Sequence, residues 1–212
     1  MPDLSQVQPT AFNCQGGLVL NRSTFMMQPG EALELQNFEP DIEGGYRRIN
    51  GFSKYVSAVV PQTSSSSEKV LMVATFGDLV VAARGEKIFS ATAGGSSWTE
   101  RDTGRTSAGT YAFERYNFDG NDKLIVVDGA NAPTFFNSAM SATDVSNSDV
   151  SGSKFVTAFK SHMFYAGKSS TPQTLVFSQP FDEDAFSSGS GAGSIKVDDV
   201  ITGLKVFRDN LF

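Results

Sequence analysis

Cysteine and histidine are nearly absent from this sequence. The single cysteine, Cys14, cannot form a disulfide within the chain, so stability must come from a packed core. A tetrahedral zinc site cannot be completed from one Cys and one His without carboxylates. A Ser-His-Asp triad would have to use His162, which stands in an apolar stretch with no flanking motif. We therefore predict no metal, no cofactor and no enzymatic activity, and we place His162 in a strand or in the core.

Positive charge and long apolar runs are also scarce. Seventeen Lys and Arg stand against 23 Asp and Glu, and the net charge of −6 has the wrong sign for a groove that grips nucleic-acid phosphates. No apolar run approaches the roughly 18 residues that a membrane-spanning helix needs, and no basic-then-apolar leader follows Met1. We expect a protein with no membrane span that is made and folded in the cytoplasm.

Phenylalanine and glycine, in contrast, are abundant. The chain has 18 Phe beside 5 Tyr and 1 Trp, and a buried Phe needs no hydrogen-bond partner. Twenty Gly, together with Ser runs and Asn/Asp-Gly pairs, supply many turn positions, which favours short strands over long helices. The 212 residues suffice for one all-β domain with an arm.

Four short apolar or β-branched stretches, separated by glycine turns, follow a polar serine run. They lie at residues 70–76, 79–83 and 87–91 and around Trp98. Four short antiparallel strands within about thirty residues make one meander. The same layout recurs further along the chain.

The recurrence has a period. The equivalent residues Leu79, Leu124 and Met163 stand 45 and 39 residues apart, close to the roughly 40 to 50 residues of a four-stranded propeller blade. A fourth copy would start at Leu211. Because a blade has two apolar faces and needs a neighbour on each, we predict propeller-like four-stranded antiparallel blades over residues 56–212, incomplete at the C-terminal end. A β-sandwich is the alternative architecture.

Residues 1–55 lack a sustained period and predict an extended N-terminal arm, with a turn or two of helix over residues 29–38, where two Glu lie near the positive end. The arm has apolar residues but little core of its own. Phe and Met are enriched at interfaces, and the arginines could pair with acidic groups of a neighbour. Packing on the chain's own blades is the alternative. The predicted subunit interface consists of Phe12, Phe25, Met26, Met27, Phe38, Arg47 and Arg48.

Three motifs that could carry chemistry are better explained as turns and loops. Residues 90–98 resemble the Asp-box hairpin of propeller glycosidases but have Ala93 where the box has its Asp. The acidic stretches 182–184 and 198–199 could supply a glycosidic acid and base only if they faced each other across a cleft, so we interpret them as solvated loop charge. Residues 119–122 lack the ligand spacing of a calcium loop and predict a hairpin turn.

Several motifs occur in an order that resembles a known family. In the arm they are Gly16-Gly17-Leu18, Pro29-Gly30-Glu31-Ala32, Leu35-Gln36-Asn37-Phe38-Glu39 and Gly44-Gly45-Tyr46-Arg47-Arg48, followed by Gly51-Phe52. Beyond it they are Tyr116-Asn117-Phe118, Val127-Asp128-Gly129-Ala130-Asn131-Ala132-Pro133, Phe177-Ser178-Gln179-Pro180 and Asp199-Val200-Ile201-Thr202-Gly203-Leu204. Together they resemble, over nearly the whole chain, the tail hub or nozzle proteins of short-tailed bacteriophages.

The resemblance implies a structural protein of the virion tail that carries a β-propeller. Such a subunit would form a homo-oligomeric ring at the distal end of the tail, as part of the conduit for genome ejection. Its partners would be other tail subunits: an adaptor or portal-side ring, and fibres or a needle. DNA would pass without specific binding, since negative charge keeps it from adsorbing. The alternative function is a carbohydrate-binding or glycan-degrading propeller on a tail that contacts the host surface.

Overall fold

The computed structural model describes residues 16–41, 45–62, 67–107 and 109–212. In these ranges the regular structure consists of eighteen strands and two short 3-10 helices, which confirms the all-β prediction. Of the helices in these ranges, none is long and apolar enough to cross a membrane. The chain divides into two compact units, Met1–Ser53 and Lys54–Phe212.

The first unit, which we call the arm, contains two small sheets and a 3-10 turn at Thr24–Met26. Its strands are β1 (Gly17–Leu18), parallel to β2 (Glu31–Ala32), and β3 (Phe38–Pro40), antiparallel to β4 (Tyr46–Arg48). In residues 16–41 and 45–53 no apolar side chain is buried. Two-stranded pieces are marginally stable unless another surface covers them.

The helix predicted over residues 29–38 is wrong. Gly30 and Asn37 have φ angles of 91° and 62°, in the left-handed region that a right-handed helix excludes. The carboxylate of Glu31 accepts the backbone N–H of Gln28 at 2.8 Å and so closes a turn. One of the two acidic residues that indicated a helix start, Glu31, therefore stabilises a turn instead.

The second unit consists of three four-stranded antiparallel sheets, each a meander, followed by a hairpin. The first sheet contains β5 (Val70–Phe76), β6 (Leu79–Arg84), β7 (Lys87–Thr92) and β8 (Thr99–Asp102). The second contains β9 (Ala112–Asn117), β10 (Asp122–Val127), β11 (Thr134–Phe136) and β12 (Ala142–Asp144). The third contains β13 (Phe155–Phe159), β14 (His162–Ala166), β15 (Thr174–Phe177) and β16 (Gly193–Lys196). The hairpin pairs β17 (Val206–Phe207) with β18 (Asn210–Leu211).

The strand positions confirm the predicted repeat. Leu79, Leu124 and Met163 all lie in the second strand of their sheet, and Leu211 lies in the second strand of the hairpin. The stretch around Trp98 leads into β8, the fourth strand of the first sheet. Three successive meanders are the predicted propeller-like blades and not the two facing sheets of a sandwich.

The second sheet is buried on both faces because successive side chains of a strand point to opposite sides. Leu124 and Val126 of β10 belong to the core shared with the first sheet, whereas Ile125 and Val127 belong to the core shared with the third. All four are 0% exposed. A fully buried side chain of this kind stabilises the fold by about 1.5–3 kcal/mol, so these two cores hold the three sheets in one stack.

The sheets are arranged as blades around a common edge. The first strands β5, β9, β13 and β17 lie beside one another in chain order. The segment that follows each of the three sheets also donates a backbone N–H to the turn between the second and third strands of that sheet. These bonds are Arg105 N to Glu86 O at 3.0 Å, Gly152 N to Asn131 O at 2.9 Å and Ile201 N to Pro172 O at 3.0 Å.

Candidate interaction surfaces

Most large apolar residues of the arm are exposed where the structure describes them. Phe25 is 100% exposed, Met26 and Phe38 are exposed, and Met27 is half-buried. Phe52, which the sequence did not single out, is 99% exposed. Of the other predicted interface residues, Phe12 lies outside the described residues. The structure therefore leaves these side chains available for a partner surface.

The two predicted interface arginines differ in their surroundings. Arg47 stands directly opposite Glu39 in the β3–β4 pair, and its Nε donates to Glu39 Oε1 at 2.8 Å. Arg48 is exposed on the same strand. Because exposed ion pairs contribute little to stability, the pair of Arg47 and Glu39 can open at small cost.

A buried arginine joins the first and second sheets. The Arg105 guanidinium donates to Asp102 Oδ2 at 2.5 Å, to Asp128 Oδ2 at 2.9 Å and to Thr134 Oγ1. Burial alone would lower the pKa of Arg105, but the charge and hydrogen bond of Asp102, and then those of Asp128, raise it above its usual value. Arg105 thus fixes the end of β8 against the end of β10.

The aspartate that receives this arginine is held by its own turn. Asp128 is 1% exposed and accepts the backbone N–H groups of Ala130 and Asn131 at 3.0 and 2.7 Å, and the Asn131 side-chain amide at 2.7 Å. Burial would raise the pKa of Asp128, but these bonds and the charge of Arg105 hold it below its usual value. A carboxylate with this many donors is ionised in the folded protein.

A buried glutamate joins the second and third sheets. Glu183 is 2% exposed, Lys123 Nζ pairs with its Oε1 at 2.6 Å, and Tyr165 Oη donates to its main-chain oxygen at 2.9 Å. Burial first, and then the Glu183 charge, raise the pKa values of Tyr116 and Tyr165. The prediction of solvated loop charge over residues 182–184 is wrong at its central residue, because that carboxylate lies between two sheets.

A groove of about 320 Å³ opens between the second and third sheets, beside the β9–β10 and β13–β14 turns. Its lining consists of residues 114–118, 158–161 and Phe181. Phe181 is 56% exposed and has a φ of 63°, an unusual conformation for an aromatic residue. Its backbone N–H donates to Ser161 O at 2.7 Å, which fixes this conformation against the β13–β14 turn.

The remaining motifs are structural where the structure describes them. His162 is the first residue of β14, which confirms the predicted strand position. It is half-buried, and its Nδ1 lies 2.6 Å from Ser178 O. Residues 119–122 form the β9–β10 turn with Gly120 at φ 75°. The 90–98 hairpin joins β7 to β8, and Trp98 Nε1 donates to Ala58 O at 2.8 Å. Within the described ranges, no three His, Cys, Asp or Glu are grouped to hold a metal ion.

Sequence reasoning did not single out Arg105, Lys123 or Phe181. Asp128 and Asn131 offered a signal, since an Asp-Gly-Ala-Asn run predicts a turn in which the Asp accepts local N–H groups. Lys123 and Glu183 are 60 residues apart, and no local pattern connects them.

Neither the scan against protein-family models nor the search of curated proteins found a match for this chain.

Proposed function

We propose that this chain is a structural subunit of a tailed-phage virion, a hub or nozzle component of the tail that works by assembling into a ring and not by catalysis. The arm carries the proposal. Its described residues bury no apolar side chain, while Phe25 and Phe52 are almost fully exposed. A segment of this kind gains its order from a surface that covers it.

A surface that covers the arm would gain a large hydrophobic free energy of binding. Covering one Phe contributes about 1.5–3 kcal/mol, and the arm also exposes Leu20 by 75% and Met26 by 70%. Phe and Met are enriched at protein interfaces, and identical subunits that contact head to tail form a ring when the rotation between neighbours closes. These side chains favour docking on a neighbouring subunit.

The blades supply the rigid part of the proposed subunit. Two continuous cores and the buried charges of Arg105 and Glu183 join the three sheets. A rigid stack suits a ring that keeps its shape while a genome passes. The net charge of −6 supports a conduit wall to which DNA does not adsorb.

The resemblance of the arm motifs to tail hub and nozzle proteins supports the proposal that the ring belongs to a phage tail. In that setting the neighbours of the subunit are further copies of the chain and other tail proteins, such as an adaptor ring, fibres or a needle. Assembly takes place in the host cytoplasm.

Sedimentation velocity of the full chain over a range of concentrations tests the proposal. We expect a species that is a multiple of the 22.7 kDa chain mass, and we expect the double variant Phe25→Ser/Phe52→Ser to shift it to monomer. The control Phe181→Asn changes an exposed Phe outside the arm and should assemble normally. A wild-type chain that is monomeric at every concentration, or a double variant that assembles like wild type, contradicts the proposal.

A further inference from the structure

The groove between the second and third sheets contains a residue in a strained conformation, Phe181, whose side chain is largely exposed. Left-handed backbone is unfavourable for a bulky residue, and glycine would remove that cost. Burial of the side chain offsets little of this conformational cost, because 56% of Phe181 is exposed. Strained residues are often found at functional sites. The exposed ring of Phe181 gains little from packing, so its presence needs an explanation.

Two more phenyl rings line the same groove. Phe118 lies 4.8 Å from Tyr116 between ring centroids, and Lys160 Nζ lies 5.0 Å from the centroid of Phe159. These contacts hold both rings in place. With Phe181 and the buried Tyr116 they give the groove four aromatic side chains within about 320 Å³, at the lower end of the roughly 300–1,000 Å³ of small-molecule sites.

The charges of the groove are largely compensated. Arg115 Nη2 pairs with Asp122 Oδ2 at 2.5 Å, and Asn117 Nδ2 donates to the same carboxylate at 3.3 Å. Burial raises the pKa of Glu114, and the charge of Lys205 opposes that rise. A lining with both signs of charge selects neither an anion nor a cation. It suits a neutral ligand that has hydrogen-bonding groups and an apolar face.

The groove that the structure describes between the first and second sheets has a different lining. A groove of about 250 Å³ beside the β5–β6 turn has Phe76 as its single ring and two carboxylates, Asp78 and Asp122, in its lining. The aromatic lining is therefore a property of one groove and not of the blade architecture.

From these observations we propose that the groove between the second and third sheets binds a neutral pyranose sugar, with Phe181 as the platform against which the C–H face of the ring stacks. A pyranose has an apolar C–H face and a rim of hydroxyls, which matches phenyl rings bordered by Asn117, Glu114 and Ser161. This site is independent of the arm, so sugar binding and ring assembly can fail separately.

Saturation-transfer difference NMR on the full chain tests the site. The probes are the methyl glycosides of glucose, galactose, mannose and N-acetylglucosamine. We expect transfer to the C–H protons of at least one probe, and affinity about two- to tenfold weaker in Phe181→Ala, because the aromatic contact is lost. Phe181→Tyr keeps the ring and should keep the binding.

The matched control is Phe207→Ala, which removes a phenyl ring of similar exposure, 59%, from β17. It should bind like wild type. No transfer to any of the four probes, or an affinity that is unchanged in Phe181→Ala, overturns the sugar site. A change of oligomeric state in Phe181→Ala, seen by sedimentation, also overturns it, because the groove would then be a protein contact.

Discussion

Replacing Arg105 by Met removes the charge that joins the first two sheets while keeping an unbranched side chain. The guanidinium is 4% exposed, and its loss leaves Asp128, whose side chain is 0% exposed, without its counter-ion. Breaking a buried pair from one side costs about 3–5 kcal/mol. Asp128 keeps three N–H donors from Ala130 and Asn131, and the 18% exposed Asp102 can be rehydrated. We therefore expect a loss of about 3 kcal/mol, at the low end of that range.

Urea unfolding of Arg105→Met beside Lys87→Met measures this difference. Lys87 pairs with Glu100 at 2.6 Å in the same sheet, but the two side chains are 35% and 44% exposed, so its loss should cost about 0–1 kcal/mol. Adding Asp128→Asn to Arg105→Met should restore part of the stability, because the uncompensated charge is removed. Equal losses in the two single variants would refute this reasoning.

The same network sets a dependence on pH. The pKa of Asp128 is lowered in the folded protein, so its contribution is present above the unfolded pKa of about 3.9 and is lost as the pH falls through the lower folded value. Wild type should lose stability below about pH 4. Arg105→Met should show a shallower loss in the same range, because one cause of the lowered pKa is gone. A steeper acid loss in the variant would contradict this assignment.

Three further changes test other parts of the fold by urea unfolding. Ile125→Ala should cost about 2–5 kcal/mol, because the side chain is 0% exposed in the second core; a loss below about 1 kcal/mol would mean that the sheets do not pack there. Phe181→Gly should stabilise the chain by about 1 kcal/mol, since glycine tolerates its φ of 63°; a loss of stability would show that the ring packs. Lys123→Met should destabilise more than Glu183→Gln, because only the former leaves a carboxylate that is 3% exposed without its counter-ion; the reverse order would place the charge cost on the lysine.

The blades could be predicted because local patterns specify them. Runs such as residues 70–76 and 79–83 combine β-branched and apolar residues with a glycine turn, and that pattern needs no knowledge of distant contacts. The spacing of Leu79, Leu124 and Met163 then revealed the repeat. In the arm, the helix prediction for residues 29–38 was wrong because Glu near a Pro-Gly pair is as compatible with a turn as with a helix start. The left-handed conformations of Gly30 and Asn37 decided between them.

The buried charges could not be predicted. Asp182, Glu183 and Asp184 are consecutive carboxylates in sequence, yet the outer two are exposed and the central one is buried. Its environment depends on Lys123, which the packing of two sheets brings to 2.6 Å. A pattern within one segment carries no information on such a partner, and the same holds for the aromatic groove.

Electron microscopy of the purified protein, combined with imaging of the tailed-phage particle that we propose contains it, is the most direct test of ring assembly. We expect a symmetric ring of identical subunits at the tail, with the arm of each copy packed on its neighbour through Phe25 and Phe52. A purified chain that remains a single 22.7 kDa particle and is absent from the tail would contradict it.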